Sequence, residues 1–316
     1  MDYRVIAELA LEQYDIMPKS LEFLMEATNV FFRVDTADKA YVLKIFQEDS
    51  SSINDNLTEH FMIEAIREKS DVLTPMVIFN KDGQTITKIT HGNERGYKRT
   101  ALYEFYEGVP IDGTETMECF EKVGRSLAKM HLATENLRFP EHVNPKKWDH
   151  VFYFENEKPV YHKPKYAKYI TTEMKDILDE LIPYFNEKLM YFYNTLTPRL
   201  IHGNLNPWNV QKYKEDIIIY DFEEVMLAYP VMDIAIFLYY YRYNENFVFD
   251  EVLAALLRGY SEYRPIPRAL DEKNLEIIMM SRRINIFNYV LSIRKDPTEF
   301  IELSFPKIKE YYLSYK

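Results

Sequence analysis

Cysteine is nearly missing from this chain of 316 residues: Cys119 stands alone, which excludes an internal disulfide and any thiolate-based metal site. Glycine is scarce too, with 8 in all, so a glycine inside a loop motif marks a backbone that other residues resist. The seven histidines are scattered without ligand spacing. No apolar run reaches the roughly 18 residues that a membrane-spanning helix needs. The start, Met1-Asp2-Tyr3-Arg4-Val5-Ile6, lacks the charged-then-apolar order of a signal peptide, so a cytoplasmic location without a membrane partner is expected. Positive charge is in deficit, with a net charge of −11, which argues against nucleic-acid binding through a general basic face. Residues 1–110 hold 12 Lys/Arg against 19 Asp/Glu. The acid excess therefore lies mainly in the first third and does not describe an acidic pocket further on.

What is present is the material of a folded protein, 47% hydrophobic and 28% charged, long enough for one large domain or two lobes. Residues 3–14 place Val5, Ile6, Leu9 and Ala10 at helical spacing. Strand patterns follow at Leu21–Met25, Val30–Val34 and Lys39–Phe46, then a helix over about 56–69. Further strands are expected at Met76–Phe79, Thr85–Ile89 and Thr100–Tyr106. After Pro110 the pattern turns helical, over roughly 114–134, 166–195, 230–242, 249–261, 270–292 and 298–313. An irregular excursion fills 140–165, and a hairpin around 210–220 is the one strand-like piece expected in this half. The fold class expected is α+β: a small antiparallel β-sheet lobe with one key helix over 1–108, then a larger, mostly helical lobe over 109–316, with the boundary near Gly108.

The chemistry concentrates between Leu200 and Ala235. His202-Gly203-Asn204 is followed five residues later by Asn209, and the apolar strand Ile217–Tyr220 ends in Asp221-Phe222-Glu223-Glu224. Phosphoryl transfer from ATP needs its phosphates held, Mg²⁺ fixed by oxygen ligands and an acceptor hydroxyl placed in line. The spacing supplies a base position at 204, an amide oxygen ligand at Asn209 and a metal carboxylate at Asp221. Any one of these residues alone is more often a turn former or a cap. All of them at these spacings, ahead of an apolar helix opened by Asp233, are a specific signal. Lys44, inside the third strand, is the candidate for holding the α- and β-phosphates. Glu59 on the following helix is its expected partner and Glu64 the runner-up. Thr28 and Asn29, in the turn Glu26-Ala27-Thr28-Asn29, would cover the phosphates, although the turn lacks glycine and the cradle signal is weak.

In these motifs the chain resembles the aminoglycoside phosphotransferase and choline kinase superfamily, which has a protein-kinase-like fold. His202 to Val210 matches its His-Gly-Asp-Leu-x-Pro-x-Asn-Val pattern except at Asn204. Asp221-Phe222-Glu223 matches its strand-end acids, and Pro230–Ala235 its Pro-x-x-Asp-Ile-Ala helix start. Val123–His131 is similar to its Gly-Arg-x-Leu-Ala-x-Leu-His helix. The resemblance implies ATP or GTP as donor, Mg²⁺ as cofactor and a small-molecule hydroxyl as acceptor. It makes Glu104–Tyr106 the interlobe hinge, with the Glu104 carbonyl and the Tyr106 amide on the adenine edge. It gives His202 a bracing role, Gly203 room for the close turn, and Asp233 a grip on the loop.

Position 204 is where the pattern breaks. Members of that superfamily carry aspartate there to orient, and in part deprotonate, the acceptor. Asparagine keeps the shape but takes no proton near neutral pH, so impaired or abolished transfer is expected. Three accounts stand open: a degenerate kinase, an inactivating substitution, or an active enzyme whose acceptor needs little base catalysis. Three functions compete accordingly: a small-molecule kinase for an aminoglycoside-like antibiotic or amino alcohol, a nucleotide-binding pseudokinase, and a stress-type Ser/Thr protein kinase, which the helix around Arg282, Arg283 and Asn288 resembles loosely. Trp148, Phe152, Tyr153 and Phe154 are candidates for an acceptor wall, with plain packing the commoner role for such residues.

Overall fold

Period-two alternation builds the first layer. In Val30–Asp35 (β2), Val30, Phe32 and Val34 are buried and the residues between them only half-buried, as one face of a sheet requires. The protein is described here from a computed structural model that covers residues 2–47, 51–90, 96–153 and 157–316. Phe154 lies outside the described residues. Ser20–Glu26 (β1), β2, Ala40–Ile45 (β3), Val77–Ile78 (β4), Thr87–Ile89 (β5) and Lys98–Glu104 (β6) form one sheet. Its order is β1-β2-β3-β6-β4, β5 also pairs with β6, and every pairing is antiparallel.

The sheet is covered on both faces. Helix α1 (Tyr3–Leu11) places Ile6, Ala10 and Leu11 against Val30, Val34, Leu43 and Leu102. Helix α2 (Ile53–Lys69) packs Met62, Ile63 and Ile66 with Phe46, Ala101 and Tyr103. Leu43 and Ile45 belong to the α1 side, so Lys44 between them faces α2 and the interior. Helix α2 starts about one turn before the sequence pattern suggests, because Ser52 and Asp55 form a reciprocal capping box.

Beyond Val109–Pro110 (β7) come helices α3 (Met117–Ala133), α4 (Thr172–Thr195), α5 (Pro230–Tyr239), α6 (Phe249–Ser261), α7 (Glu272–Ile293) and α8 (Thr298–Tyr315). The expected start of α4 at 166 is corrected to Thr172. A separate 3-10 turn occupies Pro164–Tyr166, and the Thr171 side chain caps α4 by accepting from Met174 N. The expectation of a single hairpin in this half is also corrected. The hairpin exists, as β9 (Val210–Tyr213) and β10 (Asp216–Ile219), with β7 added to its edge. In addition, β8 (Arg199–Ile201) pairs with β11 (Met226–Ala228). Both of these strands have only three residues, too short for an alternation pattern to register.

Helix α7 is buried over most of its length, yet carries Arg282, Asn285 and Asn288 three residues apart on one face. Asn285 donates to Val151 O at 3.0 Å and Asn288 accepts from Val160 N at 2.7 Å, which ties the irregular 140–165 excursion to the helical core.

Helices α3 and α6 cross at two glycines. A Cβ on Gly124 would lie 1.9 Å from Leu256 O, and one on Gly259 would lie 1.9 Å from Glu121 O. Neither backbone can yield alone, so Gly124→Ala or Gly259→Ala should force the helices apart. The expected loss is about 1–3 kcal/mol or more of unfolding free energy. Urea denaturation of the two variants checks this, and wild-type stability in both would refute the close-crossing account.

Candidate active site

The site is assembled from β3, α2, the end of β6, the loop between β8 and β9, and the turn after β10. Lys44 is 4% exposed and Glu59 3% exposed. The Lys44 Nζ lies 3.3 and 3.4 Å from the two Glu59 oxygens and 2.6 Å from Glu223 Oε1. Burial opposes the lysine charge, but Glu223 first and then Glu59 outweigh it and hold its pKa above the ordinary lysine value. Burial raises the pKa of Glu59; Lys44 counteracts this and the charge of Glu223 adds to it. Tyr103 donates its hydroxyl hydrogen to Glu59 Oε1 at 3.0 Å, and His60 Nε2 lies 2.8 Å from the same hydroxyl. Burial, and then the Lys44 charge, push His60 down to about 3, so it is neutral and supplies its Nε2–H to Tyr103. Glu64 is exposed on the far side of α2 and does not reach Lys44.

The loop over 202–209 is held from beneath by Asp233, which is fully buried at the start of α5. Its carboxylate accepts from His202 N and Gly203 N, both at 3.0 Å, and from His131 Nε2 at 3.2 Å. Burial works against the Asp233 charge, but the His131 bond and its neighbours keep its pKa below the usual carboxylate value. Gly203 has φ 78°, and a Cβ there would lie 2.3 Å from Glu224 O. His202 Nε2 donates to Tyr220 O at 2.9 Å, and its Nδ1 accepts from Asn204 N at 3.2 Å. Burial depresses its pKa, and both ring nitrogens of the neutral ring are committed to backbone. It braces the loop and has no proton to pass on.

Asn209 donates from Nδ2 to Asn204 O at 3.1 Å and to Asp221 Oδ2 at 3.2 Å. A carbonyl only accepts, so the Asn209 amide must turn its NH₂ that way, which leaves Oδ1 as the end free for a cation. Asp221 sits at φ 61°, a left-handed conformation that Asp and Asn tolerate better than other side chains. Burial in the crowded cleft, and then the Glu223 charge, push Asp221 up to about 7. Asp221 keeps contact with solvent, and the charges of Glu223, Glu59 and Glu224 all oppose its ionisation. Among the described residues no group of three or more His, Cys, Asp or Glu is arranged to hold a metal ion. One carboxylate and one amide oxygen instead fit Mg²⁺, which keeps most of its shell for phosphate oxygens and water.

Asn29 is buried, and its side chain turns inward. Its Nδ2 donates to Glu223 Oε1, and its Oδ1 accepts from Gln47 N at 3.0 Å. Thr28 stands exposed at the tip of the β1–β2 turn. Glu104 closes β6, where its N–H donates to Met76 O at 2.8 Å and its carboxylate takes Lys39 Nζ at 2.6 Å. Tyr106 O accepts from Tyr220 OH at 2.9 Å, which joins this linker to the end of β10.

Two further groups, named from sequence for other reasons, meet the loop here. Arg282 on α7 donates from Nη2 to Asn204 Oδ1 at 2.9 Å and from Nη1 to Glu224 Oε2 at 3.0 Å. Tyr153 donates to Glu224 Oε2 at 2.8 Å and lies against Arg282. Sequence reading named Arg282 only through the loose likeness of its helix to a stress-type protein kinase; the signal for a site role is its place, with Arg283, inside the largely apolar run Ile277–Ile284. Of the aromatic candidates, Trp148 is core and Phe152 packs against the core; Tyr153 is the one hydrogen-bonded within the site.

The fold is the protein-kinase-like one, an antiparallel sheet followed by a helical region. The sequence model described as "Phosphotransferase enzyme family" matches residues 21–271, and the chain belongs to that family. It is 25% identical over 281 residues to the amicoumacin kinase of Bacillus subtilis (strain 168), covering 82% of this chain and 76% of that protein. An amicoumacin kinase in complex with AMP-PNP, Ca²⁺ and Ami superposes with a TM-score of 0.80 at 17% identity, over 98% of this chain and 94% of the other. A microcompartment-associated aminopropanol kinase gives 0.72 at 19% identity, over 98% and 94%.

Asp221 offers a pH test of this electrostatic picture. Its folded-state pKa lies above its unfolded one, so its ionisation destabilises the fold, fully above pH 7 and progressively less toward pH 4. Asp221→Asn should therefore raise the melting temperature in chelator at pH 8, with a smaller gain at pH 5. Thermal melts at the two values decide; a gain independent of pH would contradict it.

Proposed function

We propose that the chain is an ATP-dependent kinase that transfers the γ-phosphate to a hydroxyl of a small molecule, an amino alcohol or an aminoglycoside-like antibiotic. The observation that carries this reading is the meeting of Lys44, Glu59, Asn209 and Asp221 in one cleft, from segments far apart in the chain. In this reading Lys44 holds the α- and β-phosphates, braced by Glu59. Triphosphate oxygens take over from Glu223 as the main partner of Lys44. Asn209 and Asp221 hold Mg²⁺, which neutralises phosphate charge and aligns the γ-phosphate when bound. Thr28 at the turn tip covers the phosphates, with Asn29 anchoring the turn from within through Glu223 and Gln47, and the backbone of Glu104 and Tyr106 meets the adenine edge. The two lobes divide near Gly108.

Kinship with an amicoumacin kinase and likeness to an aminopropanol kinase support an amine-bearing acceptor. So does the aromatic flank of the loop. Trp208, 49% exposed, stands edge-on to Tyr240 at 4.9 Å, and Tyr289 is half-exposed nearby. Aromatic faces beside carboxylates suit an ammonium group. A nucleotide-binding module without transfer is the second reading, favoured by the asparagine at position 204.

Calorimetric titration and a transfer assay test the proposal. Mg·ATP should bind the wild-type protein, and Lys44→Met should weaken that binding at least tenfold, since a charge-assisted phosphate contact contributes about 1.5–3 kcal/mol. A phosphorylated product should form from at least one member of an amino-alcohol and aminoglycoside panel. If no nucleotide binds, or if neither the wild type nor Asn204→Asp forms product, the kinase reading fails.

A further inference from the structure

Asparagine at position 204 differs from an aspartate in more than charge. A guanidinium has donors and no acceptor, so the Asn204 oxygen must face Arg282 Nη2 and its NH₂ must face away. Position 204 therefore presents a hydrogen-bond donor where a hydroxyl about to lose its proton needs an acceptor. A carboxylate stands close by. Glu224 shares Arg282 with Asn204, and its backbone carbonyl is the atom that a side chain at Gly203 would strike. Its two oxygens are unequal. Oε2 receives Arg282 Nη1 at 3.0 Å and the Tyr153 hydroxyl at 2.8 Å, whereas Oε1 has a single long contact, 3.4 Å from Arg282 Nη2. The groups acting on this carboxylate are Arg282, Tyr153, Tyr240 and Tyr289, with Asp221, His202 and the adjoining Glu223 also near it.

We propose that Glu224 Oε1 is the proton acceptor of the transfer reaction, in the place that an aspartate at 204 would take. This rests on the kinase reading above. In the step, the acceptor hydroxyl oxygen bonds to the γ-phosphorus of the nucleoside triphosphate. The bond from that phosphorus to the β,γ-bridging oxygen breaks, its electron pair leaving on the nucleoside diphosphate. The hydroxyl proton passes to Glu224 Oε1. A loose transition state places little demand on the acceptor of the proton, so positioning decides the role. Arg282 and Tyr153 hold Oε2 and thereby fix the direction of Oε1, and the Asn204 NH₂ is left to steady the incoming oxygen.

The experiment follows ADP release from Mg·ATP, first with water alone and then with 1-amino-2-propanol and ethanolamine, in wild type, Glu224→Gln, Glu224→Asp, Asn204→Asp and the double variant Asn204→Asp/Glu224→Gln. Wild type should turn over. Glu224→Gln should lose about 10²–10⁴-fold in kcat, with the KM for ATP within threefold of wild type. The double variant should regain most of that kcat, because a carboxylate again faces the acceptor. A purely structural role predicts instead a raised KM and a lowered melting temperature. Should Glu224→Gln fail to fold by circular dichroism, Glu224→Asp, which keeps the charge and retracts it by one methylene, should fold and lose at least tenfold in kcat. Glu224→Gln or Glu224→Asp at the wild-type rate would overturn the proposal. So would a wild-type protein that binds Mg·ATP without turnover while Asn204→Asp is active. Absence of nucleotide binding by the wild type would instead count against the kinase reading itself.

Discussion

The buried carboxylate of Asp233 is the constraint on which the site's shape depends. It has no lysine or arginine partner among its hydrogen bonds; its charge is held by two backbone N–H groups and one neutral histidine. Such an ion is tolerable inside a protein only while every donor stays in place, which makes the conformation at His202 and Gly203 costly to change. The support extends outward. His131 is oriented by Tyr260, whose hydroxyl lies 3.0 Å from Nδ1, and Arg199 donates to the His131 carbonyl at 2.8 Å. His131 and Tyr260 lie on α3 and α6, the two helices that cross glycine to glycine. The spacing of two helices remote from the loop thus bears on where Asn204 and Asn209 stand.

A second junction forms where β10 ends. Asp221 takes the left-handed turn, Phe222 goes into the core, and the two following acids diverge. Glu223 reaches the small sheet through Lys44 and Asn29, while Glu224 reaches α7 through Arg282 and Tyr153. Four consecutive residues therefore connect Asn209, the core, Lys44 and Arg282. The same crowding that joins them raises Asp221, because each carboxylate brought in makes the next harder to ionise.

The asparagine at 204 acquires a different meaning once its neighbour is known. In isolation it is a neutral amide of nearly the shape of an aspartate. Beside Arg282 it is an amide whose orientation is dictated by a group that can only donate, so the polarity at the cleft is inverted and not merely weakened. No inspection of residues 200–235 reveals this, since Arg282 lies 78 positions further along the chain.

Much of this protein was legible in its sequence because the signals were local. Alternation in β2, helical spacing in α2 and α3, and the loop spacing from His202 to Asp221 each arise from interactions within a few residues, and the sheet-then-helices order followed from them. Boundaries were displaced where a cap overrode the apolar pattern, as at Ser52 and Thr171, and β8 and β11 escaped notice because three residues make no period. What only the tertiary structure decided were relations between distant segments: Glu59 over Glu64 as the neighbour of Lys44, the inward turn of Asn29, the crossing at Gly124 and Gly259, and the Asn204–Arg282–Glu224 network. The physical reason is common to all of them. A hydrogen bond or a close approach depends on where two side chains end up in space, and a linear sequence records which groups are available without recording which of them meet.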